Sequence, residues 1–226
     1  MNAEFRILNS EFAPLHAILD TEAAARAGWP ILDLAAAYLS GGATFLQLRA
    51  KNLSGDAFLA TAAAVVQLAH RHQARVVVND RADIARLAGA DGVHVGQDDL
   101  GPAAVRAIVG DTAIVGLSTH TPAQVDRAVL EPVSYIAIGP VFATATKATG
   151  CDAIGLGMVA EAARRAAARG LPLVAIGGIT LDNAASVIAA GAASVAVIGG
   201  LLGAGDPEAR VRAFVDRLSR SEPPRV

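Results

Sequence analysis

The chain has 226 residues with a formal net charge of −2, and 53% of its residues are apolar while only 4% are aromatic. This length suits one large domain or two small ones, and the near-neutral charge excludes a bulk field that attracts nucleic acid or an anionic membrane. The single cysteine, Cys151, excludes an internal disulfide framework, and no apolar run approaches the ~20 residues that span a bilayer. We therefore expect a cytoplasmic protein that binds neither nucleic acid nor membranes.

The chain repeats a unit of one short apolar run followed by one helix-spaced pattern. After a polar leader over residues 1–14, the first unit places a strand at residues 15–19 and a helix at residues 32–39, which ends at paired glycines. The next three units have strands at residues 44–48, 75–78 and 92–95 and helices at residues 55–72, 83–87 and 102–109. The second half has strands at residues 113–117, 134–138, 173–176 and 194–198 and helices at residues 122–129, 158–169, 183–190 and 207–218.

Eight successive units predict an α/β protein with a closed (β/α)₈ TIM barrel, because open doubly wound sheets commonly have about five or six strands. No linker or shift in composition indicates a second domain, so we expect residues 1–226 to form a single domain, with residues 219–226 frayed. Active sites of this fold are built by the loops that follow the strands. Polar residues directly after a predicted strand are therefore the candidates for function.

The third and fourth predicted strands each end in a polar cluster that carries carboxylates. Asn79 and Asp80 follow the third strand, and Asp98 and Asp99 follow the fourth. The crossover between parallel strands puts both clusters at one edge of the sheet, where two carboxylates would repel unless a hard cation such as Mg²⁺ lay between them. Mg²⁺ usually also binds substrate phosphate oxygens, so this pattern indicates a magnesium–phosphate site. The alternative is that these residues only form turns or cap the following helices.

The second predicted strand ends in alternating polar residues. Gln47, Arg49 and Lys51 point to one side of an extended segment. If that side faces the barrel interior, two cations there require an anion, and a pyrophosphate matches a bidentate arginine plus a lysine point charge. The alternative is a surface face where water solvates both cations, although strand sides in a barrel are rarely open to water.

Later segments have features that are typical of phosphate binding. The segment after the sixth strand is long for a barrel loop, and Thr144, Thr146 and Lys147 give it hydroxyls and a cation that suit a lid over phosphate oxygens. Paired glycines follow the seventh and eighth strands, at Gly177-Gly178 and Gly199-Gly200, where this fold commonly binds a phosphate through backbone N–H groups. An ordinary polar loop and simple tight turns are the alternatives.

Histidine and serine side chains near the mouth do not assign a catalytic triad. His94 lies in the middle of the fourth strand, where a hydrogen-bonded core histidine is expected, while Ser118 and His120 follow the fifth strand near the mouth. No acidic residue or second histidine has a spacing that assigns a Ser-His-Asp triad. Cys151 also lacks a neighbouring Cys or His pattern for a metal.

Six motifs resemble, in the same order, those of the thiamine phosphate synthase family. They are QLRAK, VVVNDRADIA, ADGVHVGQDD, GLSTHT, GPVFATATK and AIGGI, and the resemblance extends from about residue 15 to residue 218. It implies a transferase that condenses 4-amino-2-methyl-5-(diphosphooxymethyl)pyrimidine with a thiazole phosphate to give thiamine phosphate and pyrophosphate. It also implies Mg²⁺ as the cofactor and small phosphorylated molecules as partners, and it leaves the oligomeric state open.

The resemblance assigns roles to the residues that match the family's motifs. It assigns Mg²⁺ to Asp80 and Asp99, and catalysis to Arg49, Lys51, Ser118 and Lys147. The pyrimidine pyrophosphate is assigned to Gln47, Leu48, Arg49, Ala50, Lys51, Asn79, Ser118 and Lys147, and the thiazole phosphate to Thr144, Ala145, Thr146, Gly178, Ile198 and Gly199. The chain departs from the family's usual residues at Ala50, Ala143 and Gly199, and a backbone amide survives the change at Gly199.

Two other functions are open to the same barrel. A thiazole tautomerase, an isomerase, would use the thiazole phosphate pocket without pyrophosphate or metal, and a phosphate-binding regulator would use it without catalysis. The synthase is favoured by five charged residues that a tautomerase does not need, namely Asp80, Asp99, Arg49, Lys51 and Lys147. The resemblance implies a largely dissociative reaction in which Mg²⁺ and the cations stabilise the leaving pyrophosphate, so no strong general base is expected.

Overall fold

The computed structural model describes residues 12–143, 152–203 and 205–220. Within these ranges, eight parallel strands close into a barrel in sequence order, and β8 pairs with β1. The predicted TIM barrel is therefore confirmed. The strands are β1 (Leu15–Asp20), β2 (Phe45–Arg49), β3 (Arg75–Asn79), β4 (Gly92–Val95), β5 (Ile114–Thr119), β6 (Tyr135–Ile138), β7 (Leu173–Ile176) and β8 (Ser194–Val197).

Helices connect the strands and surround the barrel. Those in the described ranges are α1 (Thr21–Arg26), α2 (Ile31–Ser40), α3 (Gly55–Arg71), α4 (Ala82–Ala88), α5 (Pro102–Val109), α6 (Pro122–Ala128), α7 (Gly155–Ala167), α8 (Ala184–Ala189), α9 (Gly199–Leu202) and α10 (Pro207–Ser219). The sequence patterns do not predict α1 and α9, and they place the start of α7 three residues too late. No helix in the described part of the chain is both long and apolar enough to cross a membrane.

The strands separate two hydrophobic layers. Successive side chains of a strand point to opposite faces, so Val77 and Val78 belong to different layers. Outward side chains such as Leu46 and Val78 pack beneath the helices in the larger layer. Inward side chains such as Val77 and Ile114 form the smaller layer inside the barrel. The helices thus bury the outside of the sheet, while the inside remains available for a site.

Aromatic rings fill the amino-terminal end of the barrel. The ring centroid of Phe12 lies 4.8 Å from that of His16, 5.7 Å from that of Phe45 and 5.4 Å from that of Tyr135. Phe12 is buried, although it belongs to the leader that the sequence pattern predicts to be polar. The packed barrel therefore begins before β1.

The strand register aligns polar strand ends at the opposite, carboxyl-terminal rim. Asp20 of β1 is the register partner of Arg49 of β2, and Asn79 of β3 is the partner of His94 of β4. Inward-facing residues of tilted barrel strands converge in layers across the interior. Side chains that are distant in sequence therefore meet at one mouth.

Candidate active site

A cavity of about 980 Å³ opens at the carboxyl-terminal rim of the barrel. Its volume lies at the upper end of the range for small-molecule sites, and residues from all eight strands or the loops after them line it. Most of the site residues that the sequence predicts lie in this lining, namely Gln47, Arg49, Lys51, Asn79, Asp80, Asp99, Ser118, Gly178, Ile198 and Gly199. The fold therefore brings the residues predicted for pyrophosphate, metal and phosphate to a single cavity.

The remaining predicted residues do not line the cavity or cannot be placed. Leu48 and Ala50 are buried in the layer beneath the helices, so their side chains face away from the barrel interior. Any part they take in binding must come from their backbone. Thr144, Ala145, Thr146 and Lys147 lie outside the described residues, as does Cys151. The lid that the sequence suggests therefore stays a prediction.

The carboxylates of Asp80 and Asp99 are neighbours, and Lys51 forms an ion pair with Asp80. Burial raises the pKa of Asp80, the Lys51 ammonium opposes this, and the neighbouring Asp99 carboxyl raises the pKa further. The sequence pattern alone gives this pair no counter-charge from the chain, and the structure corrects this, because Lys51 supplies one. The backbone also orients Asp99, since its Oδ2 accepts a hydrogen bond of 2.8 Å from the Gly96 N–H.

The interpretation of these carboxylates as helix caps is wrong. The residues that precede α4 and α5 are Arg81 and Gly101, and neither helix has a side-chain capping hydrogen bond. Asp80 instead adopts a left-handed backbone conformation with a φ of 64°, and its N–H donates to the His94 carbonyl at 2.7 Å. Non-glycine residues in this conformation store strain of about 1–3 kcal/mol, and such strain is concentrated at functional sites.

Arg49 has a carboxylate partner that the sequence analysis does not identify. Its Nη1 lies 2.5 Å from Asp20 Oδ2, and the two side chains are 16% and 5% exposed. Asp20 Oδ1 accepts from the Ala23 N–H at 2.8 Å, so the same carboxylate caps α1. The available signal was the position of Asp20 directly after a strand, at the rim where the other site residues lie. Among the described residues, none pairs with Arg49 Nε, which leaves a buried donor beside the cavity.

The donor set at the rim suits Mg²⁺ better than a metal that requires an all-protein cage. In the described ranges, no group of three or more His, Cys, Asp or Glu side chains is arranged to hold a metal ion. Mg²⁺ commonly uses only one or two carboxylates and takes its other ligands from water and substrate phosphates. Asp80 and Asp99 fit that requirement. Burial, and then the neighbouring Asp99 carboxyl, raise the pKa of Asp80, and a bound cation would favour the charged form against both effects.

A buried polar network runs from the mouth into the barrel. His94 Nε2 lies 2.8 Å from Ser118 Oγ, and His94 Nδ1 lies 2.8 Å from the hydroxyl of Tyr135. The expectation that His94 is a hydrogen-bonded core histidine is confirmed, and the residue also lines the cavity. Gly116 leaves room for this network, because a Cβ there would lie 2.1 Å from Tyr135 Cζ. Burial raises the pKa of Tyr135, so its hydroxyl remains neutral.

His120 faces the cavity from the loop after β5. Its Nδ1 lies 2.6 Å from the carbonyl oxygen of Gly139, and this oxygen can only accept. Nδ1 therefore carries the proton, and the ring is held against the loop after β6. The backbone N–H of His120 donates to Gln124 Oε1 at 2.6 Å, which ties the residue to the start of α6.

The glycines after β7 are required by the packing of the rim. Gly177 and Gly178 have φ values of 102° and 65°. A Cβ on Gly178 would lie 2.7 Å from both the carbonyl oxygen of Ala143 and Cβ of Phe142. Asn183 fixes this turn, since its Nδ2 donates to the Gly178 carbonyl at 3.0 Å. The turn thus keeps backbone groups, and not side chains, at this part of the cavity wall.

Comparisons with known proteins agree with the motifs. Residues 15–201 match the family described as thiamine monophosphate synthase. The thiamine-phosphate synthase of Roseiflexus castenholzii is 43% identical over 186 residues, which cover 82% of this chain and 80% of that protein. The thiamine-phosphate synthase of Methanoculleus marisnigri is 43% identical over 190 residues, which cover 84% of this chain and 89% of that protein.

Two solved structures are similar to this chain, and the first agrees with the same family. The thiamine phosphate pyrophosphorylase from Pyrococcus furiosus has a TM-score of 0.82 at 28% identity, and the match covers 92% of this chain and 96% of that one. The N-(5'-phosphoribosyl)anthranilate isomerase from the same organism has a TM-score of 0.62 at 14% identity, and the match covers 92% of this chain and 100% of that one. The second likeness shows the shared barrel fold alone.

Proposed function

This chain belongs to the thiamine monophosphate synthase family. We propose that it catalyses, in this cavity, the condensation of the aminopyrimidine pyrophosphate with the thiazole phosphate. The activity is that of a thiamine-phosphate synthase, which is a transferase. The observation that carries the proposal is that the paired carboxylates Asp80 and Asp99 lie in the same cavity as Arg49 and Lys51. A reaction that releases pyrophosphate uses both charges, whereas a thiazole isomerisation uses neither.

The pyrophosphate group binds at the part of the rim formed by β2, β3 and β5. Arg49 offers its partnerless Nε, and Lys51 can turn from Asp80 to a phosphate oxygen because its side chain is half exposed. Asn79 and Ser118 add neutral donors from neighbouring strands. The sequence-based assignment of Lys147 completes this set, together with the backbone of Leu48 and Ala50. Asp20 positions Arg49 by fixing one edge of its guanidinium group.

Mg²⁺ would be held by Asp80 and Asp99. When bound, it supplies positive charge that stabilises the leaving pyrophosphate. Gly96 keeps Asp99 oriented towards the pair through its N–H, and the left-handed turn at Asp80 presents the second carboxylate. In this proposal the chain provides only two ligands, and the substrate provides others.

The thiazole phosphate binds at the opposite part of the rim, after β7 and β8. Gly178, Ile198 and Gly199 line the cavity there, and loops at this place commonly bind phosphate in barrels of this kind. The sequence-based assignment adds Thr144, Ala145 and Thr146 from the loop after β6. The two phosphate sites then lie on different sides of one mouth, and the two rings meet between them.

The reaction needs charge stabilisation more than proton transfer. The bond between the pyrimidine methylene carbon and the pyrophosphate oxygen breaks, and its electron pair leaves with the pyrophosphate. The thiazole nitrogen then donates its lone pair to the methylene carbon. Arg49 and Lys51 face the oxygens that gain charge, which is the kind of preorganised electrostatic stabilisation that dominates many enzymatic barriers. No general base is required.

Turnover by the purified protein tests the proposal. The two phosphorylated substrates are supplied with Mg²⁺, and the formation of thiamine phosphate and of pyrophosphate is followed together. A synthase forms both products in equal amounts, and omission of Mg²⁺ stops it. A tautomerase isomerises the thiazole phosphate without releasing pyrophosphate, and a binding regulator turns over neither substrate.

The composition of the chain supports a location and a class of partner for the proposed reaction. We propose that the protein acts in the cytoplasm on small phosphorylated molecules. Its single cysteine and its near-neutral charge support this location and this class of partner.

A further inference from the structure

A histidine in the wall of the cavity has a buried polar atom without a partner. His16 of β1 is 1% exposed, yet it lines the cavity. No atom of the described residues forms a hydrogen bond with its Nε2. A buried polar atom without a partner costs roughly 1–3 kcal/mol, so native proteins contain few of them. The proposed pyrophosphate and metal residues do not explain this one, since they lie at the rim.

Neighbouring rings fix the orientation of His16. Its imidazole stacks on Phe45 with a centroid distance of 3.9 Å and an interplanar angle of 6°. It meets Tyr135 edge-on at 5.4 Å and 88°. Burial, and to a lesser degree the charge of His94, lowers the pKa of His16, so the ring is neutral. A neutral imidazole Nε2 makes one hydrogen bond, as donor or acceptor according to the tautomer.

The floor suits a flat ring and not a phosphate. His16 precedes Asp20 by four residues on β1, which is about 13 Å along the strand at ~3.3 Å per residue and about 11 Å deeper along the axis of a barrel whose strands tilt by ~36°. Small or apolar side chains complete the wall at this end of the cavity, namely Ala137, Val174 and Ala196. Among the described lining residues, the only arginine and lysine are Arg49 and Lys51, which lie at the rim.

We propose that His16 is a specificity-determining residue whose Nε2 forms a hydrogen bond with the aminopyrimidine ring. The inference rests on the proposed function and assigns its two substrates to different depths. The thiazole ring has one nitrogen, and that atom is the nucleophile, so it faces the methylene carbon and not the floor. The aminopyrimidine has two ring nitrogens and an amino group that do not take part in bond formation. One of these three groups is the partner of His16.

The test uses a ligand series and two substitutions of His16. The ligands are the aminopyrimidine pyrophosphate, its analogue without the amino group, and the two analogues in which one ring nitrogen is replaced by CH. Their dissociation constants are measured by calorimetry without the thiazole phosphate, so that differences in reactivity play no part. We expect the parent protein to bind one analogue about tenfold more weakly than the full ring, which corresponds to one lost hydrogen bond of about 1.4 kcal/mol.

His16→Phe keeps the stack on Phe45 and removes Nε2, so we expect it to bind that analogue and the full ring equally well. His16→Gln retains a polar group and should restore part of the difference. The midpoint of thermal unfolding without ligand should stay the same or rise in His16→Phe, because the partnerless atom is gone. A purely structural role predicts a lower midpoint and an unchanged ratio of dissociation constants. If His16→Phe does not fold, His16→Leu takes its place in the same comparison.

Ser194→Ala is the matched control. Ser194 Oγ is also buried without a partner among the described residues, but Ser194 does not line the cavity. Its removal should leave every dissociation constant unchanged. A ratio of dissociation constants that is the same in parent and His16→Phe overturns the inference even if synthase turnover is normal. Absence of turnover, with discrimination that still depends on His16, overturns the proposed function and leaves the ring site standing.

Discussion

The pair Asp80 and Asp99 can be tested with substitutions that preserve the backbone. Asp80 has a left-handed φ of 64°, which Asn tolerates and Ala does not, so Asp80→Asn removes only the charge. We expect Asp80→Asn and Asp99→Asn each to lower Mg²⁺-dependent turnover by about 100-fold or more, because the metal loses a charged ligand. The free energy of unfolding should change by less than about 1 kcal/mol, since Lys51 is half exposed.

Asp83→Asn provides the control for these variants. Asp83 is ion-paired with Arg81 on the solvent side, and that pair lowers the pKa of Asp83 to about 2. It does not line the cavity, so turnover should be unchanged. Near-normal Mg²⁺-dependent turnover of Asp80→Asn would show that this carboxylate does not hold the metal.

His120 separates a synthase from a tautomerase at the level of one side chain. Proton shuttling on the thiazole ring needs a general acid or base near its pKa, whereas capture of a cation by the thiazole nitrogen does not. We expect His120→Gln to retain synthase turnover within about tenfold, or about 1.4 kcal/mol of barrier, because only a hydrogen bond is lost. Gln can still donate to the Gly139 carbonyl that now pairs with His120 Nδ1. A loss of about three decades, together with thiazole isomerisation by the parent, would assign the protein as a tautomerase.

At the scale of elements, Arg106 fastens α5 to the base of the barrel. Its side chain is buried, and it donates from Nε to the Pro132 carbonyl at 2.9 Å, from Nη2 to Ser134 Oγ at 3.1 Å and from Nη1 to the Ala113 carbonyl. We expect Arg106→Met to lower the free energy of unfolding by about 3 kcal/mol, because buried acceptors lose a charged donor. Urea denaturation measures this change.

The matched control for this clamp is Arg127→Met on α6, where the side chain is exposed. This substitution should change the free energy of unfolding by no more than about 0.5 kcal/mol. Turnover per folded molecule should be normal in both variants, since neither arginine lines the cavity. Equal stability of the two variants would mean that the carbonyls around Arg106 find other donors.

Of the two helices that the sequence patterns do not predict, α1 has a start signal in the sequence and α9 has none. α1 has an N-cap at Asp20 and an acidic residue, Glu22, in its first turn, so its start signal is present in the sequence. The apolar run at residues 15–19 predicts only that a strand ends at Asp20. α9 begins with Gly199 and Gly200, which are poor helix formers, and a turn is the better prediction from propensity. Burial of Leu201 overrides that propensity.

At the scale of the whole molecule, the repeat predicts the barrel, but the pairing of side chains across strands is less visible. Eight apolar runs with helices between them suffice for the closed sheet and for the rim that carries the polar residues. The contact between His94 and Tyr135 joins residues 41 positions apart, and it depends on the register of β4, β5 and β6. The ion pairs of Asp20 and Asp80 depend likewise on which rotamers meet above the strands. The pattern of residues in the sequence gives neither the strand register nor the side-chain rotamers.

The buried His16 predicts how stability depends on pH. Burial lowers the pKa of His16 in the folded state below its unfolded value of 6.5. Below pH 6.5 the unfolded chain therefore binds a proton that the folded protein does not. The free energy of unfolding is fully retained above pH 6.5 and falls as the pH falls below that value. The expected slope is about 1.4 kcal/mol per pH unit for one proton. Urea denaturation between pH 5 and pH 8 measures it, with His94 and Tyr135 as the polar groups that face the ring.

The matched variants for this pH effect are His16→Phe and His70→Gln. His16→Phe should flatten the stability curve below pH 6.5, because the proton uptake of the unfolded chain at this position is gone. His70 is partly exposed beside Asp91, so His70→Gln should leave most of the slope in place. A slope that persists in His16→Phe would assign the proton to another group.

The rings that fill the amino-terminal end make the cavity a dead end. Phe12, His16, Phe45 and Tyr135 close that end among the described residues, so everything enters and leaves through the one mouth. A ligand that occupies the floor must arrive before one that occupies the rim, and what fills the rim must depart before it. The shape of the barrel, and not the affinity for each ligand, then sets the order in which ligands bind and leave. Product-inhibition kinetics should show a compulsory sequence, with the pyrimidine first to bind and pyrophosphate leaving before the coupled product.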